Sequence, residues 1–267
     1  MSNPRQPNPN PTYPVPALEQ GLGLLELVLT SGEAMTQRQI AKRLDKPAST
    51  VFRLLACLEG RGYVQRDADT GVYRPTLHLY GLAQLYPAQR RFREVAAGPM
   101  RELTETLGES CHLSVLDHGQ VRVIANHPSP HAHSLNVRPG SVYPLADASS
   151  GKLLLAHIPE DRAWAIVESN ATAEQAETLD RAEFMRSLRR LKRDGHCVVP
   201  SALTPGVLDV DVYLDCDWLD GGVVLAVPCL KKWSRSEQRD VVLPATRRAG
   251  ERIAAIFRQS SGAASDV

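Results

Sequence analysis

Three side chains in one short run combine hydrogen-bonding groups with a positive charge. In the stretch DKPASTVFRLLACLEG (residues 45–60), Ser49 and Thr50 carry hydroxyl groups, and Arg53 follows within one helical turn. A helix would therefore bring the three side chains close together on its surface. Hydroxyl groups and a guanidinium near a helix N-terminus are suited to phosphate oxygens, and the helix dipole adds to that attraction. An arginine at such a place is also able to read guanine edges in a major groove.

A second group of chemically active side chains is acidic. The stretch LDVDVYLDCDWLD (residues 208–220) holds five aspartates, and two of them, Asp209 and Asp211, are two residues apart. Side chains at this spacing lie on the same face of a strand. Either that face is open to solvent on a half-buried strand, or the paired carboxylates bind a cation, a metal ion or a hydrogen-bond donor. The residues alone leave both interpretations open.

Two other stretches imitate binding motifs without meeting their requirements. The run SSGKLL lacks the features of a phosphate-binding loop, since Ala146 stands where that loop needs glycine and Leu153 where it needs Ser or Thr. The histidines of HPSPHAH (His127, His131 and His133) match no standard metal-ligand spacing. We therefore predict no metal site and no cofactor, apart from a divalent cation at the aspartates as a weaker alternative.

Composition limits the class of protein. The chain has 267 residues, of which 43% are hydrophobic, which fits about two domains with real cores. A net charge of +1 gives no case by itself for a polyanionic partner. The five cysteines form no C-x-x-C pair, which argues against structural zinc and favours a reducing compartment. Without an apolar run long enough to span a membrane or a signal peptide, we expect a cytoplasmic protein with no membrane partner.

The N-terminal part is predicted to be helical after a disordered arm. Residues 1–16 contain six prolines and are expected to form that arm. Leu18, Leu22, Leu25 and Leu29 share one face of the first predicted helix, and we expect this face to pack into the core. The sequence Thr36-x-x-Gln39 is a capping box that begins a second helix.

The third predicted helix is the one that carries the hydroxyl groups and the arginine. Pro47 suits its start, and its apolar stripe consists of Val51, Leu54, Leu55 and Leu58. The segments YVQR and VYRP, separated by DADTG, predict a β-hairpin directly after it. Two helices joined by a tight turn and followed by a hairpin form a winged helix-turn-helix, which lays its last helix in a DNA major groove.

The predicted DNA-binding domain spans residues 17–80, and a linker helix follows at residues 81–100. The candidate DNA contacts are residues of the turn, the third helix and the wing: Thr36, Gln37, Lys46, Ala48, Ser49, Thr50, Phe52, Arg53, Arg66 and Arg74. The alternative is a three-helix unit that only packs against another domain or a second copy of the chain.

Residues 101–260 are predicted to form an α+β domain with a mostly antiparallel sheet, followed by a disordered tail at residues 261–267. CHLSVLDHGQVRVIA is expected to be a hairpin, and HSLNVRPGSVYPL to be a strand, a turn and a strand. DASSGKLLLAHI, residues 180–194 and the segment from Ser236 onwards are expected to be helices, whereas GVLDVDVYL and GGVVLAVP are expected to be strands. Strands and helices do not alternate in a strict βαβ repeat, which favours this α+β arrangement.

The chain resembles the isocitrate lyase regulator (IclR) family of bacterial transcription factors over nearly its whole length after the arm. The residues that carry the resemblance are ALEQGLGLLELV, TQRQIAKRLDKPASTVFRLLACLEGRGYVQRD, VYRPTLHLYGLA, PLADASSGKLLLAHIPE and DGHCVV with TPGV. The resemblance implies a winged helix-turn-helix domain, a linker helix and a GAF-like effector-binding domain. It also implies a dimer or tetramer that binds promoter DNA, responds to a small metabolite and is not an enzyme.

The resemblance places the effector pocket at specific positions: Leu135, Tyr143, Ser149, Ser150, Val199, Val207, Asp209, Ala226 and Pro228, with Asp211 added from its spacing. Two carboxylates near the pocket depart from the family pattern, because they would repel an anionic effector unless they are protonated or paired. We therefore expect an effector with a cationic or donor-rich group, whose acid, if it has one, lies at Ser149 and Ser150.

Two other classes of function stay open at this point. In the first, the second domain is a small-molecule enzyme in which Asp209, Asp211 and a nearby histidine such as His196 transfer protons. In the second, the chain is a protein-interaction module whose helix-turn-helix only dimerises. The expected function remains a metabolite-responsive regulator, acting as repressor or activator on a catabolic operon.

Overall fold

The structure, a computed structural model, divides the chain into two compact units that meet in sequence between Pro87 and Ala88. It describes the chain in six segments: residues 13–85, 87–132, 134–171, 179–216, 222–230 and 234–262. The elements of the first unit are α1 (Pro16–Thr30), β1 (Met35–Thr36), α2 (Gln37–Leu44), α3 (Ala48–Gly60), β2 (Val64–Arg66), β3 (Val72–Pro75) and α4 (His78–Gln84). The three strands form an antiparallel sheet in the order β1-β3-β2. The helix-turn-helix and the wing predicted from the sequence are both present.

Local hydrogen bonds fix the turn that joins α2 to α3. The hydroxyl of Thr36 accepts from the backbone N–H of Gln39 at 3.3 Å, and the side-chain oxygen of Gln39 accepts from the backbone N–H of Thr36 at 2.8 Å. This is the predicted capping box. Asp45 adopts a left-handed backbone conformation (φ 51°) that ends α2. The side-chain amide of Gln37 then donates to the carbonyl oxygen of Ala48 at 2.9 Å, which ties the start of α2 to the start of α3.

The core of the first unit lies under α3 and differs from the prediction in α1. Val51 and Leu55 of α3 are fully buried, and Leu54 and Leu58 are half-buried around them. In α1 the buried residues are Leu24, Leu25 and Val28. The predicted stripe was wrong at three of its four positions, because two faces of α1 carry leucines at helical spacing. The leucines that remain outside the core are Leu18, Leu22 and Leu29, with exposed fractions of 58%, 50% and 40%.

The segment expected to be one linker helix at residues 81–100 contains parts of two helices. Helix α4 begins before it at His78, and α5 runs from Pro87 to Leu107, seven residues beyond the expected end. Proline is well suited to the first position of a helix, because it has no N–H to leave unpaired there. The division of the chain at Pro87 assigns almost all of α5 to the second unit.

The second unit is an α+β domain around one antiparallel sheet. In chain order it contains α5 (Pro87–Leu107), β4 (Cys111–Asp117), β5 (Gln120–His127), β6 (Val142–Pro144), α6 (Ser149–Leu155), α7 (Glu160–Asn170), α8 (Arg181–Asp194), β7 (His196–Pro200), β8 (Leu208–Leu214), β9 (Val223–Cys229), α9 (Arg235–Glu237), a π-helical turn (Gln238–Val242) and α10 (Leu243–Gly262). The six strands follow the order β6-β5-β4-β9-β8-β7. This confirms the predicted fold class.

Each face of the sheet is covered by helices. The main core lies between α5, α10 and the face that carries Leu113, Val212 and Leu225. The opposite face, which carries Val121 and Val224, packs against α6, and the apolar sides of α7 and α8 extend the same cluster. Strand residues therefore alternate between two interiors, and the polar residues among them must find partners inside the protein.

The prediction was incomplete in three places of the second unit. The first half of HSLNVRPGSVYPL is not a strand, because its described residues contact their neighbours through other bonds: Asn126 donates to the side chain of Asn136 at 2.6 Å, and Ser110 donates to the carbonyl of Leu135. Neither α7 nor β7 was predicted. The predicted arm and tail fall mostly on residues outside the described segments, although α1 already includes Pro16 and α10 includes Gly262.

A glycine allows α6 to approach the chain before it. A Cβ atom built on Gly151 would overlap the carbonyl oxygen of Leu145 and come within 2.9 Å of Cγ2 of Val121. The glycine of the run SSGKLL is thus required by close packing of a helix on backbone. Among the described helices, none combines the length and the apolar character that crossing a membrane demands.

Candidate functional site

The solvent side of α3 presents the side chains that the sequence singled out. Ser49, Phe52 and Arg53 are exposed, Phe52 by 56%, and Thr50 is half-buried at the edge of the core. Arg53 makes no hydrogen bond or ion pair with any residue in the described segments. Because Val51 and Leu55 on the other side are fully buried, the helix is held rigidly while these four side chains stay at its surface. This surface has the polar groups and the free charge that a phosphate or a base edge requires.

The residues of the turn have structural partners as well. The hydroxyl of Thr36 and the amide of Gln37 are engaged in the cap and in the link to α3, whereas Lys46 and Ala48 are exposed between the two helices. Thr36 and Gln37 therefore have less free hydrogen-bonding capacity than the prediction assumed.

The wing presents two arginines. Arg74 lies opposite Gln65 and Arg66 lies opposite Tyr73, so the two arginines belong to different faces of the β2–β3 ribbon. Both arginine side chains are exposed. Asp67 begins the loop between the two strands, and hydrogen bonds from Thr70 are the main cause that lowers its pKa. Cationic side chains on both faces of a narrow ribbon suit a ribbon that follows a groove between two phosphate backbones.

Strand pairing brings five of the ten predicted effector-site residues together in the second unit. In the register of β7, β8 and β9, Asp209 lies opposite Val199 and Pro228. Asp211 lies in the next row of the same face, opposite Ala226 and also opposite Cys197. The prediction that the two aspartates share a face is confirmed, and we call them the carboxylate pair.

The carboxylate pair lies under the start of α6. The hydroxyl of Ser149 donates to Oδ2 of Asp209 at 3.2 Å. Burial raises the pKa of Asp209, and hydrogen bonds from Ser201 and Ser149 lower it in part. Burial, together with the charge of Asp209, raises the pKa of Asp211 to about 7. Both groups therefore hold protons more tightly than an exposed aspartate does.

The other predicted pocket residues are more dispersed. Ser150 is buried at the start of α6, and Val207 is buried just before β8. Tyr143 lies on the edge strand β6, opposite Val121, and Leu135 lies in the irregular segment before it. Helix α6 has only seven residues, and the hydroxyl of Ser149 already donates to a carboxylate, so its start offers little to an anion.

Two residues near the carboxylate pair were not identified from the sequence. Cys197 is directly opposite Asp211, and its Sγ lies 3.8 Å from Oδ2 of that residue. His112 on β4 is opposite Ala226, which places it in the same row. Burial lowers the pKa of His112 to about 4, so the imidazole is neutral at neutral pH. The alternation of each strand was visible in the sequence, but the register that aligns these rows was not.

The histidine suggested for acid–base work does not join the carboxylate pair. His196 is paired with Val212, so its side chain belongs to the opposite face of the sheet from Asp211. Its Nδ1 lies 2.6 Å from the carbonyl oxygen of Asp194 and 2.6 Å from a guanidinium nitrogen of Arg247. The three-residue proton relay considered from the sequence is therefore not assembled.

Metal-ligating side chains are not clustered in the described segments. No group of three or more His, Cys, Asp or Glu residues there is arranged to hold a metal ion. His127 contacts the hydroxyl of Thr104 at 2.9 Å and His131 is exposed, while His133 lies outside the described residues. All five cysteines are free thiols.

Comparison with known proteins identifies both units. The model of the IclR helix-turn-helix domain matches residues 17–68, and the model of the bacterial transcriptional regulator IclR C-terminal domain matches residues 85–214. The HTH-type transcriptional repressor AllR of Klebsiella pneumoniae is 28% identical over 158 residues, which is 59% of this chain and 58% of that protein. The AllR repressor of Salmonella typhi is 26% identical over 197 residues, covering 73% of this chain and 72% of that protein.

Solved structures share the fold over most of the chain. An IclR homolog from Microbacterium hydrocarbonoxydans, complexed with 4-hydroxybenzoate, has a TM-score of 0.76 at 23% identity and covers 91% of this chain and 99% of its own. The IclR protein of Thermotoga maritima has a TM-score of 0.69 at 18% identity, with coverage of 90% and 98%. The helix-turn-helix exposes Ser49 and Arg53, and both family models match the chain in the expected order. The chain therefore belongs to the IclR family of DNA-binding bacterial transcriptional regulators.

Proposed function

We propose that the protein binds an operator through α3 and the wing, and that a small metabolite held in the second unit changes the affinity for that operator. The observation that carries the proposal is the division of α3 into two sides. Val51 and Leu55 fill the core, and Ser49 and Arg53 stay exposed. The target is proposed to be a catabolic operon, and the protein is proposed to act in the cytoplasm, as a regulator and not as an enzyme.

The DNA contacts are proposed in three groups. Ser49, Thr50 and the backbone at the start of α3 bind phosphate, where the helix dipole favours an anion. Arg53, one turn further on and without a protein partner in the described segments, reads a base edge or a phosphate. The remaining contacts come from the turn and the wing: Thr36, Gln37, Lys46, Ala48, Phe52, Arg66 and Arg74.

A gel-shift titration against the DNA upstream of the protein's own gene tests the proposal. We expect Arg53→Ala to weaken specific binding by about 5- to 150-fold, corresponding to about 1–3 kcal/mol, if the arginine reads a base. Arg190→Ala is the matched control, because Arg190 is an exposed arginine of the second unit and its loss removes the same charge. Equal affinity of the wild type and Arg53→Ala would remove this residue from the contact surface.

Dependence on salt separates operator binding from the alternative of a purely protein-binding module. Each phosphate contact releases counterions, so the logarithm of the affinity should fall steeply with the logarithm of the salt concentration. The Arg53→Ala variant should lower that slope by about one if the arginine binds phosphate instead of a base. Absence of any shift at low salt would favour the protein-binding module.

Self-association is proposed to involve the leucines that α1 leaves outside its core. Leu18, Leu22 and Leu29 form an exposed apolar stripe on a helix of the first unit, and such stripes commonly mark protein interfaces. We propose a dimer or a tetramer on this basis and from the family resemblance. Light scattering of wild type and Leu22→Asp tests it, since a charge in the interface should shift the protein towards monomer.

The effector is proposed to carry a cationic or donor-rich group. The carboxylate pair supports this proposal, because in its ionised form it would repel a simple carboxylate placed beside it. A divalent cation is the weaker alternative, since no group of three or more His, Cys, Asp or Glu residues in the described segments is arranged to hold a metal ion. The enzyme alternative loses its proposed proton relay with the position of His196.

A further inference from the structure

Asp211 is a buried carboxylate with an unused oxygen. Its exposed fraction is 1%, in the middle strand of three that lie side by side. Oδ2 accepts from the weak thiol donor of Cys197, at 3.8 Å. Oδ1 is fully covered, and no residue in the described segments donates a hydrogen bond to it. A buried acceptor of this kind is costly to leave without a donor, so the atom marks a place where a donor is missing.

The second carboxylate of the pair faces the same space. Asp209 is two residues before Asp211 on the same sheet face, and it is only half-buried, so this end of the site is the more open one. The hydroxyl of Ser149 donates to Asp209 and is close enough to Asp211 to lower its pKa in part. No lysine or arginine in the described part of the chain forms an ion pair with either of them.

The neighbours of the pair determine what else such a group would meet. Ala226 and Pro228 flank the acids on β9, and Val199 flanks them on β7. His112, beyond Ala226, is neutral. These surroundings provide apolar contacts and weak dipoles. The charge of Lys152 on α6 acts on Cys197, where it partly lowers the pKa of the thiol, but in the described segments Lys152 forms no ion pair with either acid, so neutralisation of the pair comes from a proton or from a ligand.

We propose that the carboxylate pair is the subsite for a cationic nitrogen that carries at least two N–H donors, namely a primary ammonium, an amidinium or a guanidinium group of the effector. This inference rests on the proposed effector-responsive function and narrows it. One N–H donates to the unpaired Oδ1 of Asp211, and a second bonds Asp209, which still accepts from Ser149. A planar guanidinium or amidinium matches two carboxylate oxygens at once.

Other ligand classes satisfy only part of this requirement. A quaternary ammonium brings charge but no hydrogen, so Oδ1 of Asp211 would stay without a donor. A divalent cation needs six or more oxygen ligands and would find two carboxylates here. A simple carboxylate would add negative charge beside the pair and would bring no N–H donor. The site therefore discriminates by hydrogen-bond donation and not by charge alone.

The experiment uses the full chain and five probes with one carbon skeleton: butylammonium, butylguanidinium, butyltrimethylammonium, butanol and butyrate. Binding is followed at neutral pH by the melting temperature and by isothermal titration. We expect the first two probes to raise the melting temperature. Once the probe concentration exceeds the dissociation constant, the increase should be linear in the logarithm of that concentration. The other three should leave it unchanged at the same concentration. Equal stabilisation by butyltrimethylammonium or butyrate, or none by either N–H cation, would overturn the proposal.

Matched variants locate the effect. Asp211→Asn should reduce the affinity for butylguanidinium at least tenfold, and Asp209→Asn should also reduce it. Asp215→Asn is the control, since Asp215 is an exposed aspartate just beyond the same strand, and it should bind the probe as the wild type does. If Asp211→Asn does not fold, the comparison of Asp209→Asn with Asp215→Asn decides. Unchanged affinity in a folded Asp211→Asn or Asp209→Asn protein would refute the assignment.

Operator binding of the wild type without any probe is measured beside these titrations. If the operator is bound but no N–H cation is, the subsite proposal fails and the regulator function stands. If N–H cations bind but no operator fragment does, the subsite stands and the DNA-binding proposal fails.

Discussion

Replacing Asp211 by asparagine should stabilise the protein at high pH and have little effect at low pH. The ordinary pKa of an aspartate is 3.8, and burial raises that of Asp211 to about 7. The folded state thus binds this proton more tightly than the unfolded state, so the contribution of Asp211 to the free energy of unfolding falls as the pH rises from about 4 to about 7. A shift of about three units corresponds to at most about 4 kcal/mol above pH 7. An asparagine side chain does not titrate, so the variant should avoid this loss.

The measurement is urea denaturation of the wild type and of Asp211→Asn between pH 4 and pH 8. Trp164 lies on α7 of the second unit, and no tryptophan precedes it in the sequence, so tryptophan fluorescence reports on the unit that contains the substitution. We expect the two proteins to be similar at pH 4 and the variant to gain up to about 4 kcal/mol at pH 8, part of which is shared with Asp209. The exposed Asp215→Asn should follow the wild type. The difference between the variant and the wild type isolates Asp211 from other titrating groups such as His112, and a difference that does not grow from pH 4 to pH 8 would refute the reasoning.

Three further substitutions test the packing that positions the two sites. Thr36→Ala removes the N-terminal cap of α2 and should cost about 1 kcal/mol, measured by thermal unfolding followed with circular dichroism. Leu55→Ala opens a cavity under α3 and should lower the free energy of unfolding by about 2–5 kcal/mol. Operator affinity in gel shifts should also fall, because the cavity loosens the support of α3. Gly151→Ala should destabilise the second unit by about 1–3 kcal/mol in urea, whereas Gly98→Ala, where an added Cβ meets nothing within 4 Å, should be neutral or slightly stabilising.

Local patterns predicted those parts of the molecule that depend on one segment at a time. The capping box at Thr36 and Gln39 and the shared face of Asp209 and Asp211 both follow from the geometry of a single helix or strand. The choice of core face in α1 did not follow, because leucines occupy two faces and only the neighbours of the helix decide which one is buried. The start of α5 at Pro87 was also missed, although proline suits the first position of a helix and the sequence carried that signal.

The candidate effector site shows the same limit more clearly. Each strand's alternation was predictable, but the alignment of Cys197 and His112 with Asp211 depends on the register between strands far apart in the chain. The unpaired oxygen of Asp211 could not be predicted for the same reason. It is unpaired because none of the neighbouring strands and helices in the described segments donates a hydrogen bond to it. Sequence reasoning identified the acids, whereas only the three-dimensional arrangement identified which of their atoms lacks a donor.

The glycine at position 151 has a consequence for recognising proteins of this kind by short signatures. A glycine followed by lysine at a helix start suggests a nucleotide-binding enzyme to any pattern search that ignores distance and context. Here the absence of a side chain at Gly151 allows a short helix to pack directly against the carbonyl of Leu145. A glycine–lysine pair can thus serve close packing in one protein and phosphate binding in another, and the clearance around the α-carbon shows which role the glycine has.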